Sequence, residues 1–133
     1  MYKEDDPQIT LTEFYSPFGE LDPDNRWVKT ANLIPWQQYE RAYAKQFSNK
    51  SGAPAIKFRM ALGTLLIKKR TGLSDREIVQ VIKENPYMQY LIGLHEFVAT
   101  IPFSASSITN FRKHITKDVI KQIHESVIPR KRK

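Results

Sequence analysis

The chain has 133 residues, 41% of them apolar and 26% charged, a balance that suits one globular core with short tails and excludes disorder throughout. It contains no cysteine, so disulfides, thiol nucleophiles and zinc knuckles are excluded together and a reducing compartment fits. The net charge of +7 is held unevenly: in residues 1–24 seven carboxylates face Lys3 alone, leaving −6 there and +13 on the remainder, which attracts polyanions such as nucleic acid.

Residues 1–24 mix these acids with Pro7, Pro17, Pro23 and scattered aromatics in no steady period. This predicts an irregular arm docked through Phe14, Tyr15 and Phe18. Asp24 or Asn25 is placed to cap a short helix over residues 27–33, and Pro35 suits the first turn of a second. There Trp36, Tyr39, Tyr43 and Phe47 recur at spacings of three and four and share one stripe. Aromatics are costly to leave exposed, so the stripe reads as core rather than as a platform for stacking bases. Residues 49–54, with Ser51 and Gly52, supply the loop that follows.

A third helix is predicted over residues 57–70, with Phe58, Leu62, Leu65 and Leu66 on one side. It ends at Thr71-Gly72, where glycine is free to turn left-handed. Ser74 and Glu77 have capping-box spacing, so a helix starts at Asp75, with Ile78, Val81 and Ile82 facing the core and Val79 beside them. Asn85-Pro86 closes that helix and opens another, which presents Tyr87, Tyr90, Leu91 and Leu94 at helical spacing. Phe97, Val98, Ile101, Pro102 and Phe103 make an apolar connector. The last long helix begins near Ser106 or Ser107, and Ile108, Phe111, Ile115, Val119, Ile123 and Val127 trace one stripe along its whole length. Pro129 stops it before a basic tail, Arg130-Lys131-Arg132-Lys133.

No segment alternates with period two, so the fold class is all-α, a compact multi-helix bundle with a helix-turn-helix-like DNA-binding arrangement. The organisation is an acidic irregular arm (1–24), a helical domain (25–128) and a basic tail (129–133). With Ile108, Phe111 and Ile115 anchored inward, Ser106, Thr109, Asn110, Lys113 and Lys117 point outward and Arg112 flanks them. Hydroxyls and helix-start amides, with Ser107 among them, suit phosphate; asparagine pairs with adenine, and arginine or lysine with guanine. Lys68, Lys69 and Arg70 form a second cationic run, which also complements the negative end of their helix, and the tail is a further phosphate grip. The partner expected is double-stranded DNA. The rival reading is a protein-interaction or oligomerisation module that joins a second copy or docks onto a catalytic subunit, and salt dependence separates the two.

Catalysis has little support in the residues. His95, His114 and His124 lack metal-ligand spacing, Ser106-Ser107 reads as a cap rather than a nucleophile, and Asp75, Glu77 and Asp118 do not assemble into a magnesium site. No metal or cofactor is expected. The longest apolar stretch, residues 61–67, is far short of a bilayer span, and the acidic N-terminus lacks a signal peptide's cationic start. A cytoplasmic, nucleoid-associated location is expected.

One ordered series of motifs is more specific than any of these features. It runs through Leu33-Ile34-Pro35-Trp36, Pro54 with Phe58-Arg59-Met60, Gly72-Leu73-Ser74-Asp75 with Glu77, and Asn85-Pro86-Tyr87. It continues through Leu91-Ile92-Gly93-Leu94 and Pro102-Phe103 to Ser106-Ser107 with Phe111-Arg112-Lys113. Over residues 27–116 the chain resembles the N-terminal domain of InsH-like insertion-sequence transposases of the DDE superfamily. The resemblance implies an all-helical DNA-binding domain that recognises an element's terminal inverted repeats. In full-length relatives a ribonuclease-H-like domain follows, with three acidic residues that hold divalent metal. This chain reaches only Lys133, so DNA binding without catalysis is the expectation.

Overall fold

The computed structural model describes residues 10–45, 58–115 and 117–127, without the side chains of residues 42–45 and 126–127. The side chains of Tyr43 and Val127, together with Phe47, the 49–54 loop and the basic tail, lie outside what is described. Among the described residues seven helices follow a single 3-10 turn at Leu11–Glu13: α1 (Arg26–Leu33), α2 (Trp36–Lys45), α3 (Phe58–Thr71), α4 (Asp75–Glu84), α5 (Pro86–Leu91), α6 (Ala105–His114) and α7 (Lys117–Val127). Among the described residues there is no strand, only one isolated bridge between Tyr15 and Glu96.

Helix α3 is the axis of the domain. Every residue from Phe58 to Ile67 is buried, because α2, α4, α5, α6 and α7 all pack on it. The expected one-sided stripe of Phe58, Leu62, Leu65 and Leu66 is therefore an understatement, since a helix enclosed on all sides has no solvent face to leave polar. Its small residues allow this: a Cβ on Gly63 would lie 3.1 Å from the Ile92 Cα, so α3 and the end of α5 meet backbone to backbone.

Two polar side chains inside the core tie loops to helices. Arg59 Nε donates to the Leu91 carbonyl at 3.0 Å and Nη2 to that of Tyr90 at 2.8 Å, capping α5 from within α3. Burial pushes its pKa down to about 10, which still leaves it charged at neutral pH. Gly93, at φ +90°, turns the chain beneath this guanidinium, and any Cβ there would stand 3.0 Å from the Arg59 Cδ. Gln89 is fully buried; its amide donates to the carbonyls of Ile82 (3.0 Å) and Val98 (2.9 Å) and accepts from the Val98 N–H (2.8 Å). That pins the connector before α6 to the end of α4.

The local signals for helix ends hold in most places. Asn25, not Asp24, caps α1 by accepting from the Trp27 N–H at 2.8 Å. Ser74 and Glu77 form the expected capping box, and Asn85 ends α4 while capping α5. Helix α5 stops at Leu91, so Leu94 lies beyond it. The arm docks through buried Phe14 and through backbone, the Tyr15 N–H reaching the His95 carbonyl and the Phe97 N–H the Tyr15 carbonyl. The Tyr15 side chain itself is 64% exposed, contrary to expectation, because the bridge holds its backbone and turns the ring outward. Phe18 meets Phe97 edge to face while remaining largely exposed.

The last helix is two helices. Ile115, in an extended conformation (φ −125°, ψ 107°), ends α6, and α7 starts at Lys117. Ile115 is β-branched, with low helix propensity, and the helix ends there, so that Ile115 after α6 and Ile120 and Ile123 on α7 all reach the core. The start also differs: Ser104 is the cap and Ala105 the first helical residue.

Candidate nucleic-acid interface

Three helix ends converge because of how α3 stops. Gly72, at φ +73°, donates its N–H to the Lys68 carbonyl at 2.8 Å and releases the chain, which restarts as α4 three residues later. The last turn of α3 and the first turn of α4 are thereby set side by side. Lys68 Nζ bridges them, donating to the Leu73 carbonyl at 2.9 Å and pairing with Asp75 at 3.0 Å.

Helix α6 is laid against α3 and α4 by buried Ile108 and Phe111, the latter edge to face with Phe103. Its opposite side faces solvent: Ser106, Thr109, Asn110, Arg112 and Lys113 are all exposed. Arg112 meets Asp75 as a fork, Nη1 on Oδ1 and Nη2 on Oδ2, each at 3.2 Å. This contact, together with Lys68, holds the Asp75 carboxyl below the usual carboxylate range. Glu77 is lowered too, chiefly by the Ser74 backbone N–H that it accepts from.

Between these elements lies an open groove of about 770 Å³, whose walls carry Lys68, Arg76, Arg112 and Lys117 against Asp75 alone, with Ser74 and Ser106 at its rim. At the start of α6 the hydroxyls of Ser104 and Ser106 are 3.0 Å apart and the Ser104 N–H donates to Ser107 Oγ. Four cations, one carboxylate and a cluster of hydroxyls beside a helix start make a surface suited to phosphate.

The structure brings Lys68, Ser106, Arg112 and Lys117 together at this groove, with Thr109, Asn110 and Lys113 on the exposed face of the same α6. Ser107 is half-buried and occupied in the cap. Lys69 is exposed outside the groove, and Arg70 turns away from it to donate to Thr30 Oγ1 of α1 at 2.8 Å. Sequence reasoning did not find the groove's Arg76, nor the role of Asp75 as the carboxylate shared by Lys68 and Arg112. Nothing local signals a pairing 37 residues apart. Among the described residues no three His, Asp or Glu side chains gather to hold a metal ion, and no helix is long and apolar enough to cross a membrane.

Fold and site together define a class, an all-helical domain with a basic groove beside a hydroxyl-rich helix start. The chain belongs to the transposase domain family DUF772, whose sequence pattern matches residues 17–114, and the resemblance drawn from the ordered motifs holds at that level. It is also 35% identical over 95 residues to a Rhizobium meliloti protein described as uncharacterized protein ORF8 in the nfe locus. That match covers 71% of this chain and 45% of the relative, so the chain spans under half of the relative's length. No solved structure matches it.

Proposed function

We propose that this chain is the DNA-binding part of an insertion-element transposase, that it recognises the element's terminal inverted repeats, and that strand cleavage and transfer belong to a separate domain. The observation that carries the reading is the two-sidedness of α6: Ile108 and Phe111 are buried while Thr109, Asn110 and Lys113 stand in solvent next to a cationic groove. An α-helix about 10 to 12 Å across fits the major groove, which is about 12 Å wide. In this arrangement α4 and α5 support α6 in a helix-turn-helix-like manner. Asn110 and Arg112 meet base edges, Ser106, Ser107, Thr109 and Lys113 meet the adjacent phosphates, and Lys68 and Lys117 meet the backbone along the groove.

The test is a fluorescence titration of the chain against a duplex carrying the inverted repeats of its own element and against a shuffled duplex. Preference for the first by at least about 10-fold, with affinity falling steeply as salt rises, is expected. Equal, salt-insensitive affinity for both would sink the reading. A second reading, pairing with another copy or with a full-length transposase, is favoured by one observation: Tyr15, Phe18 and Leu33 are large apolar side chains left at least 60% exposed. Sedimentation in high salt separates it, since association through such residues persists where phosphate contacts fail.

A further inference from the structure

A second cationic cluster lies outside the groove, built around one indole. Trp27 of α1 is buried, and two guanidiniums stack on it: the Arg26 Cζ is 4.8 Å from the ring centroid and the Arg70 Cζ 4.9 Å. Arg70 is further fixed by its bond to Thr30, one helical turn along α1. Stacking orients a guanidinium while leaving its in-plane donors free, and Arg70 spends one of its five on Thr30.

This arrangement is more than a packed arginine requires. Among the described residues the carboxylate of Asp75 is held by Lys68 and Arg112, and none is ion-paired with Arg26, Lys69 or Arg70. Arg26 occupies the first position of α1, whose first turn has no acidic residue and where the helix dipole disfavours a cation. Burial lowers the pKa of Arg70 and the neighbouring Arg26 lowers it further. His124 of α7 is lowered by burial and then by Lys69 and Arg70, with Glu125 alone opposing. Like charges crowded without counter-charge are relieved by a polyanion.

We propose that Arg26, Lys69 and Arg70, with His124 beside them, form a second phosphate-binding surface that grips the backbone of the same duplex beyond the α6 groove. The inference rests on the DNA-binding reading above. Continuity favours one duplex over a free anion: α7 carries Lys117 on the groove wall and His124 at the cluster, seven residues apart and so on one side of the helix, about 10 Å along its axis. Exposed Lys121 lies between them on the same side. That distance corresponds to about three base pairs of rise, so a backbone leaving the groove reaches the cluster without a gap in positive charge.

The experiment is a salt-dependent titration of the double variant Arg26→Gln/Lys69→Gln. Both side chains are exposed, so the fold is expected to persist, as a circular-dichroism melt checks. Affinity for cognate and shuffled duplexes should fall together by about tenfold, and the slope of log affinity against log salt should shrink by about two. An affinity within twofold of the parent with an unchanged slope overturns the inference while leaving the DNA-binding reading intact; a parent that binds no duplex removes both. As a measurement independent of the variant, the imidazole resonances of His124 should titrate at higher pH in the duplex complex than in the free chain. An unchanged His124 titration in the complex equally overturns the proposal.

Discussion

Arg112 on α6 and Asp75 at the start of α4 meet through two parallel bonds of 3.2 Å, a planar fork on the wall of a groove that is otherwise cationic. Both side chains keep a substantial share of their surface in water, so the pair contributes little to stability, about 0.2 to 1 kcal/mol. Its effect falls instead on where Arg112 points and on how much positive charge the groove presents.

Asp75→Asn is therefore expected to leave the fold within about 1 kcal/mol of the parent while strengthening binding to any duplex several-fold and weakening discrimination between sequences. The sign with pH follows from the depressed carboxyl. Its stabilising share is complete above its ordinary value of 3.8 and is lost only as pH falls through the lower value it has in the folded chain. Denaturant titrations at pH 7 and pH 3, beside duplex titrations with cognate and shuffled sequences, check both halves. Weaker binding to shuffled DNA would contradict the assignment.

Gln89 has no such tolerance. Replacing it by leucine keeps the volume but strips partners from the Val98 N–H and from the carbonyls of Ile82 and Val98. Leaving these groups unsatisfied in a half-buried setting should cost about 2 to 4 kcal/mol. The connector pinned by Gln89 leads into α6, so duplex affinity should fall as well. Chemical denaturation followed by circular dichroism reads the first effect; a midpoint unchanged from the parent would show that water replaces the amide.

How much of this was legible from sequence depended on the range of the interaction. The Ser74–Glu77 box, the Asn85-Pro86 junction and the Gly72 stop are local devices, in which three or four residues carry all the physics, and each is found where its motif stands. Ile108 and Phe111 went inward and Asn110 and Lys113 outward because periodicity alone decides that. The break at Ile115 escaped because the apolar stripe continues in phase across it, and neither glycine nor proline marks it. The bonds from Arg59 to α5 and the Arg112–Asp75 fork join residues more than 30 apart, and the enclosure of α3 gathers five helices from both sides of it in the chain. Such pairings appear only when helices are placed in space.

Gly63→Ala tests the closest of those placements. In an ordinary helix interior the exchange stabilises by about 1 kcal/mol. Here the new methyl would lie 3.1 Å from the Ile92 Cα and 3.2 Å from the Leu91 carbonyl oxygen, backbone atoms held in turn by Arg59. Overpacking against a surface that does not yield costs about 1 to 3 kcal/mol, so net destabilisation is expected. A raised melting temperature would mean that α5 yields.

On the exposed face of α6, Asn110→Ala and Lys113→Ala should separate specificity from affinity. Both side chains lie in solvent, so neither change should move the melting temperature appreciably. Loss of an amide that reads adenine costs about 1 to 3 kcal/mol at one base pair only, whereas loss of a phosphate contact weakens all duplexes alike and reduces the salt slope by about one. Titration against duplexes varied one base pair at a time tells the two apart. Uniform loss in the Asn110 variant would move that residue from the bases to the backbone.

His124 gives the free protein a distinct response to acid. Burial, and then the charges of Lys69 and Arg70, hold its pKa below the ordinary 6.5, with Glu125 partly offsetting them. The unfolded chain therefore takes up this proton first, at a pH where the folded chain still resists it. Stability contributed by the neutral ring is complete well above 6.5 and declines as pH falls through that value toward the lower folded one, the reverse of a histidine that gains a partner on folding. His124→Gln removes a group that must charge in a cationic setting. The variant should consequently lose less stability than the parent between pH 7.5 and 5.5, while Asp75, which titrates lower, leaves this window unaffected. Parallel denaturation curves at those two pH values decide it, and an equal loss in parent and variant would place His124 outside the influence of the α3 cations.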